Sequence, residues 1–187
     1  MAARLAIIYP AIVRDAEWPG ALQRGLAQRK SRRDSGLRIF YNQYRSKYDQ
    51  LWPQRWRLQS LQTYVANGQP LYNAVWRPGD AGEIQVYGWA YADYRKKYDE
   101  LWPQGWRLYT LQSYVMPNGQ VLYNAAWRPG AMPEIQVYGW NYADYRKKYD
   151  ELWPQGWRLY VLDSYVMPNG QVLYNAVWRQ GTVDRPL

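Results

Sequence analysis

The stretch Tyr98-Asp-Glu-Leu-Trp-Pro-Gln-Gly-Trp-Arg-Leu-Tyr109 returns at Tyr149 to Tyr160, and a looser copy, Tyr48-Asp-Gln-Leu-Trp-Pro-Gln-Arg-Trp-Arg-Leu-Gln59, precedes both. The chain is therefore a three-unit tandem repeat. The landmark tyrosines Tyr48, Tyr98 and Tyr149 lie 50 and then 51 residues apart. The extra residue falls in a turn, since Tyr64 to Tyr72 spans eight positions whereas Tyr114 to Tyr123 and Tyr165 to Tyr174 span nine. Self-similarity at a period of roughly 50 residues marks stacked or ring-like architectures, in which neighbouring units share one continuous core.

Working outward through the second unit, Glu83-Ile-Gln-Val-Tyr-Gly-Trp89 alternates as a short strand, with Ile84 and Val86 on one face and Gln85, Tyr87 and Trp89 on the other. From Asp93 the period changes. Tyr94, Tyr98, Leu101 and Trp102 fall at i, i+4, i+7 and i+8, the stripe of an amphipathic helix. Asp93 with Lys97 and Arg95 with Asp99 are expected i,i+4 pairs on its outer face. Pro103 closes the helix and Gly105 supplies a left-handed stop, as do Pro154 and Gly156 in the third unit. Arg55 replaces that glycine in the first unit, which implies backbone strain or a different exit. Residues 106–115 and 120–128 then flank Pro117-Asn-Gly119, a hairpin signal, because Asn and Gly both tolerate positive φ.

The fold class that follows is α+β: three strand-helix-hairpin units forming a solenoid or a partial, propeller-like ring, with antiparallel hairpins and one helix per unit. The units span 37–79, 80–130 and 131–181, with Leu37 to Tyr41 as the first leading strand, after a basic leader at 1–36 and before a tail at 182–187. The third unit has no strand following it. That leaves a sheet edge open unless the leader or another subunit covers it, a reason to expect an N-terminal cap or a homo-oligomer.

Composition narrows the chemistry. The chain has no cysteine and no histidine. This excludes disulfides, thiolate and His metal sites, and the Ser-His and Cys-His nucleophile systems. No metal or cofactor is expected. Carboxylates are the remaining acid-base groups, and Asp99-Glu100 and Asp150-Glu151 point to different sides of a helix rather than across a cleft. The reading is non-catalytic. Twelve Trp and 20 Tyr stand against a single Phe, so most large side chains carry a polar tip that wants a partner when buried. Net charge is +9, and residues 1–36 hold seven Lys or Arg against Asp15, Glu17 and Asp34. The run Arg29-Lys-Ser-Arg-Arg33 reads either as a contact to an anionic surface or as a solvated leader. No apolar run is long enough for membrane insertion as a helix. Leu5 to Val13 resembles a signal-peptide core, but Pro10 interrupts it and no A-x-A site follows. An extracellular or cell-surface location is compatible with that leader without being marked by it.

The pattern of a helix, then Gly-Trp-Arg-Leu, a strand ending in Tyr, Asn-Gly and Tyr-x-Ala-x-Trp-Arg resembles the bacterial tandem repeat domain. That family occurs in arrays beside β-lactamase-like serine hydrolase domains and in the N-terminal region of polyglycine hydrolases. The matching residues are Tyr98, Leu101, Gly105-Trp-Arg-Leu108, Tyr114, Asn118-Gly119, Tyr123, Ala125 and Trp127-Arg128, with counterparts in the other units. The resemblance covers residues 37 to 181 and implies an accessory module. The separate domain with a nucleophilic serine that family members carry has no match here.

Two sets of residues are candidates for ligand binding. Trp89 and Trp140 end the leading strands on the face away from the aliphatic residues, where they can serve as exposed platforms. The second set comprises Asn73, Trp76 and Arg77, with Asn124, Trp127 and Arg128 and with Asn175, Trp178 and Arg179. An exposed aromatic beside Asn, Gln or Arg is what lectin-like carbohydrate recognition requires, and repetition would raise affinity for multivalent glycans. The alternatives are core packing for the tryptophans and a backbone bond within a bulge for the asparagines. A structural or protein-interaction scaffold is thus the second reading. A single-stranded nucleic-acid binder ranks third, because Lys96, Lys97, Lys147 and Lys148 are interleaved with acids.

Overall fold

The computed structural model describes residues 39–181. The leader at 1–36, the start of the first leading strand and the tail at 182–187 lie outside the described residues. The element order is helix α1 (Tyr41–Leu51), strands β1 (Trp56–Ala66), β2 (Gln69–Pro78) and β3 (Ile84–Trp89), helix α2 (Tyr91–Leu101), strands β4 (Trp106–Val115), β5 (Val121–Pro129) and β6 (Glu134–Trp140), helix α3 (Tyr142–Leu152), and strands β7 (Trp157–Val166) and β8 (Val172–Gln180). Each unit contributes a helix and an antiparallel hairpin, as the repeat predicts. The leading strand pairs with the second hairpin strand of its own unit, giving sheets ordered β3-β5-β4 and β6-β8-β7. In the first unit a single bridge, Ile39 to Tyr72, marks the same place. Tyr41, expected in that strand, already belongs to α1.

The helices begin two residues earlier than the Asp93 stripe predicts. Tyr91 opens α2 because its ring packs on Tyr123 and Tyr138, with centroids 5.8 and 5.3 Å away, which draws one more half-turn into the helix. Each helix ends in a 3₁₀ turn carrying the proline, followed by a left-handed residue: Gly105 at φ 79°, Gly156 at φ 83° and Arg55 at φ 61°. The first unit therefore keeps the same exit and carries the strain of a side chain there, roughly 1–2 kcal/mol. On the outer face Arg95 pairs with Asp99 at 2.6 Å as expected, but Lys97 turns to Glu100 at 2.8 Å instead of Asp93.

The hairpin turns account for the single-residue difference in period. Asn67 and Gly68 form a two-residue turn with φ of 51° and 74°. With Pro117 inserted, only Gly119 needs positive φ, and the Asn118 side chain accepts from the Gln120 N–H at 3.0 Å.

The sheets of the second and third units each have two buried duties. One face, built from Leu108, Leu111, Tyr123, Ala125 and Trp127 in the second unit, packs with its own helix residues Tyr94, Tyr98 and Leu101. The opposite face lies on the preceding unit: Ala126 belongs to the core of the first unit and Val177 to that of the second. Strand β1 thus meets β4, and β4 meets β7. The result is a stack of three units, with no closed barrel among the described residues. No helix of the described residues is long and apolar enough to cross a membrane.

Candidate binding site

The residues singled out in the sequence do not gather into one site. Trp76, Trp127 and Trp178 are at most 1% exposed and lie in the three cores. They are enclosed rather than exposed, because the hairpin face that carries them is the one the helix covers. Tyr44, Tyr94 and Tyr145 stack on them with centroids 5.8 to 6.0 Å apart.

The asparagines follow the bulge alternative. Asn124 is 1% exposed, and its Oδ1 accepts the Gly88 N–H at 2.8 Å, where the pairing of β3 slips between Val86 and Trp89. Its Nδ2 donates to Thr63 Oγ1 of the preceding unit at 2.8 Å. Asn175 repeats this with the Gly139 N–H at 2.9 Å and Ser113 Oγ at 2.9 Å. Both therefore act as rivets between units. Asn73, which has no described unit behind it, is exposed.

The arginines are absorbed in the same way. Arg128 forms an ion pair with Glu83, donates to the Leu58 carbonyl across the unit boundary at 2.6 Å and lies 3.5 Å over the Tyr109 ring. Arg179 pairs with Glu134 at 2.5 Å, donates to the Leu108 carbonyl at 2.5 Å and lies 3.6 Å over Tyr160. Arg77 is partly buried. Its Nε has no hydrogen-bond partner among the described residues.

Among the candidate tryptophans, Trp89 and Trp140 keep solvent access, Trp89 at 37% and Trp140 half-buried. They are not on the face that alternation predicts. The bulge at Tyr87-Gly88 consumes an extra residue, so Trp89 sits opposite Tyr123 and on the same side as Val86, which sits opposite Ala125. Trp140 consequently packs partly against the third core. Beside Trp89 lies an open cleft of about 350 Å³ lined by Asp93, Lys96, Lys97 and Glu100 of α2.

What sequence reasoning missed is the polar network at each unit boundary. The side chains of Glu83 and Glu134 are fully buried. Glu134 accepts from Arg179, from the Tyr98 hydroxyl of the preceding helix at 2.9 Å and from Gln136 at 3.0 Å. Above it the Tyr94 and Tyr138 hydroxyls meet at 2.8 Å, and burial pushes the Tyr94 phenol well above its usual range. Tyr44, Tyr48, Glu83, Gln85 and Tyr87 form the same arrangement one unit earlier. The signal was available in Glu-x-Gln-x-Tyr-Gly, present at both boundaries. The clefts of about 270 and 330 Å³ above these carboxylates are lined largely by groups whose hydrogen bonds are already made.

Asp163 stands where the second unit has Gln112, and accepts from both the N–H and the hydroxyl of Ser113 and from Asn175. Burial raises its pKa to about 6, against the pull of those hydrogen bonds. An unfolded aspartate titrates near about 4, so between about pH 4 and 6 the folded protein binds more protons than the unfolded chain. The contribution of this carboxyl to stability is complete below about pH 4 and is lost as pH rises through about 6, on the order of 3 kcal/mol. Asp163→Asn is expected to gain on the wild type by about that amount between pH 4 and pH 7. Urea unfolding at the two pH values measures the gap, and a gap independent of pH would contradict the assignment.

Fold and boundary network together define a tandem repeat protein, whose recurring residues hold one unit on the next. The polyglycine hydrolase-like structural repeat matches residues 41–78, 86–129 and 136–181, and the chain belongs to that family. Neither curated proteins nor solved structures gave a match.

Proposed function

We propose that this chain is a non-catalytic scaffold, a stack of units that presents its surfaces to other proteins. What supports this reading is that, where a neighbouring unit stands against them, the residues returning in every unit are taken up by the stack itself. Trp127 and Trp178 are buried, and so are Asn124, Asn175 and the carboxylates of Glu83 and Glu134. A glycan site built from the same residues would need them in solvent.

Carbohydrate recognition is the second reading, favoured by the Trp89 cleft alone. There an exposed indole lies among two carboxylates and two ammonium groups, the kind of surface on which a pyranose ring can stack while its hydroxyls find partners. Titrating tryptophan fluorescence with mono- and oligosaccharides separates the two readings, with single-stranded oligonucleotides as controls at two salt concentrations. The scaffold reading expects no saturable shift with any sugar, and limited access of acrylamide to the buried indoles of Trp76, Trp127 and Trp178. A saturable, salt-insensitive shift with one sugar class, abolished by Trp89→Ala, would replace it with the lectin reading. A response to oligonucleotides that collapses at higher salt would argue for nucleic acid instead.

A further inference from the structure

Each unit boundary is made from two unlike halves. The forward half of one unit offers Leu61, Thr63 and Tyr72, or Leu111, Ser113 and Tyr123. The backward half of the next offers Gln112, Tyr114 and Asn124, or Asp163, Tyr165 and Asn175. The two halves meet twice within the chain, through Asn124 to Thr63, Gln112 to the Thr63 carbonyl at 3.0 Å, and Asn175 to Ser113. Tyr114 also interacts with Tyr72, and Tyr165 with Tyr123.

Among the described residues, one forward half and one backward half have no unit packed against them. On the third unit Leu162 is 48% exposed, against 5% for Leu61 and 4% for Leu111, and Ser164 is exposed where Thr63 and Ser113 are buried. Val166 beside them is also exposed. On the first unit Tyr64 is 40% exposed, against 5% for Tyr114 and 8% for Tyr165, while Gln62 and Asn73 are exposed where Gln112 and Asn124 are buried. Terminal repeats that face only water ordinarily exchange interface residues for a polar outer surface. Here Leu162, Tyr64 and Asn73 keep the identities they have inside the stack.

We infer that the forward face of the third unit receives the backward face of the first unit of a second copy, joining chains head to tail through the contact that already joins the units. Asn73 and Gln62 of one copy then meet Ser164 of the other, Tyr64 meets Tyr174, and Leu162 is covered. Such a contact is heterologous, so it propagates to longer oligomers or closes as a ring. The inference rests on the scaffold reading, yet the two fail separately: a monomer that ignores sugars leaves the scaffold standing, whereas sugar binding removes it whatever the oligomeric state.

Sedimentation velocity of the full chain over a wide concentration range tests the inference, together with variants blocked at one face each. Leu162→Glu, or Ser164→Arg as an independent choice, blocks the forward face, and Asn73→Arg blocks the backward face; all three positions are exposed, so the fold is retained. The wild type is expected to grow in mass with concentration. Each blocked variant alone should stay monomeric, and an equimolar mixture of a forward-blocked and a backward-blocked variant should form a one-to-one dimer and nothing larger. A wild type that is monomeric throughout would overturn the inference. So would a mixture that gives no dimer, or a backward-blocked variant that dimerises by itself through two forward faces.

Discussion

Glu134→Ala is expected to lower the free energy of unfolding by about 3–5 kcal/mol, because it leaves the Arg179 guanidinium buried without its counter-charge. The carboxylate is fully shielded and Arg179 is only 18% exposed at its side chain, so water cannot readily take over. Three further donors lose their acceptor at the same stroke: the Arg179 Nε–H, the Tyr98 hydroxyl and the Gln136 amide. A typical domain is stable by only about 5–15 kcal/mol, so the loss is a large part of the whole. Glu134→Gln should cost less than alanine, since its amide oxygen keeps one set of the donors, although its NH2 faces the other set and the charge is missing. Glu134→Ala combined with Arg179→Met should recover part of the deficit, because removing both charges abolishes the uncompensated one. Urea unfolding of the four proteins measures this order. A Glu134→Ala variant within about 1 kcal/mol of wild type would mean the pair behaves as a surface salt bridge.

Trp127→Ala should be comparably severe, at about 3–5 kcal/mol, for a different reason. Its indole is 0% exposed at the centre of the middle core, stacked on Tyr94 at 5.8 Å and paired across the sheet with Leu108 and Ile84. Removal opens a cavity that the surrounding strands cannot close without breaking their ladders. The middle unit supports both neighbours, so the damage is not confined to one repeat. Trp127→Phe is expected to be milder. The indole N–H finds no acceptor among the described residues, so the ring can lose it without breaking a hydrogen bond. Thermal unfolding separates the three proteins, and a phenylalanine variant as unstable as alanine would show that the indole shape, not apolar filling, is what the core needs.

The repeat, the helix, the hairpin and the location of the inserted turn residue were all legible in sequence. They depend on local periodicity and turn chemistry, which a linear pattern records directly. The family was legible for the same reason. The candidate site was not. Alternation placed Trp89 opposite to Val86, but the bulge at Tyr87-Gly88, held by Asn124 from another strand, rotates it to the same side. A short-range pattern cannot contain that event, since its cause lies 36 residues away. Lys97 chose Glu100 over Asp93 because both lie within reach along one helix face, and only side-chain geometry decides between them.

By itself, then, the sequence determined that there are three units, what each is made of, and which residues every unit must reuse. Only the tertiary structure decided which copies of those residues are buried. Leu111 and Leu162 are the same residue at the same place in their units, yet one is 4% and the other 48% exposed. Asn124 and Asn73 differ in the same manner. The physical reason is that burial in a stack comes from the neighbouring unit, and a repeating sequence writes the same residue whether or not a neighbour stands in front of it.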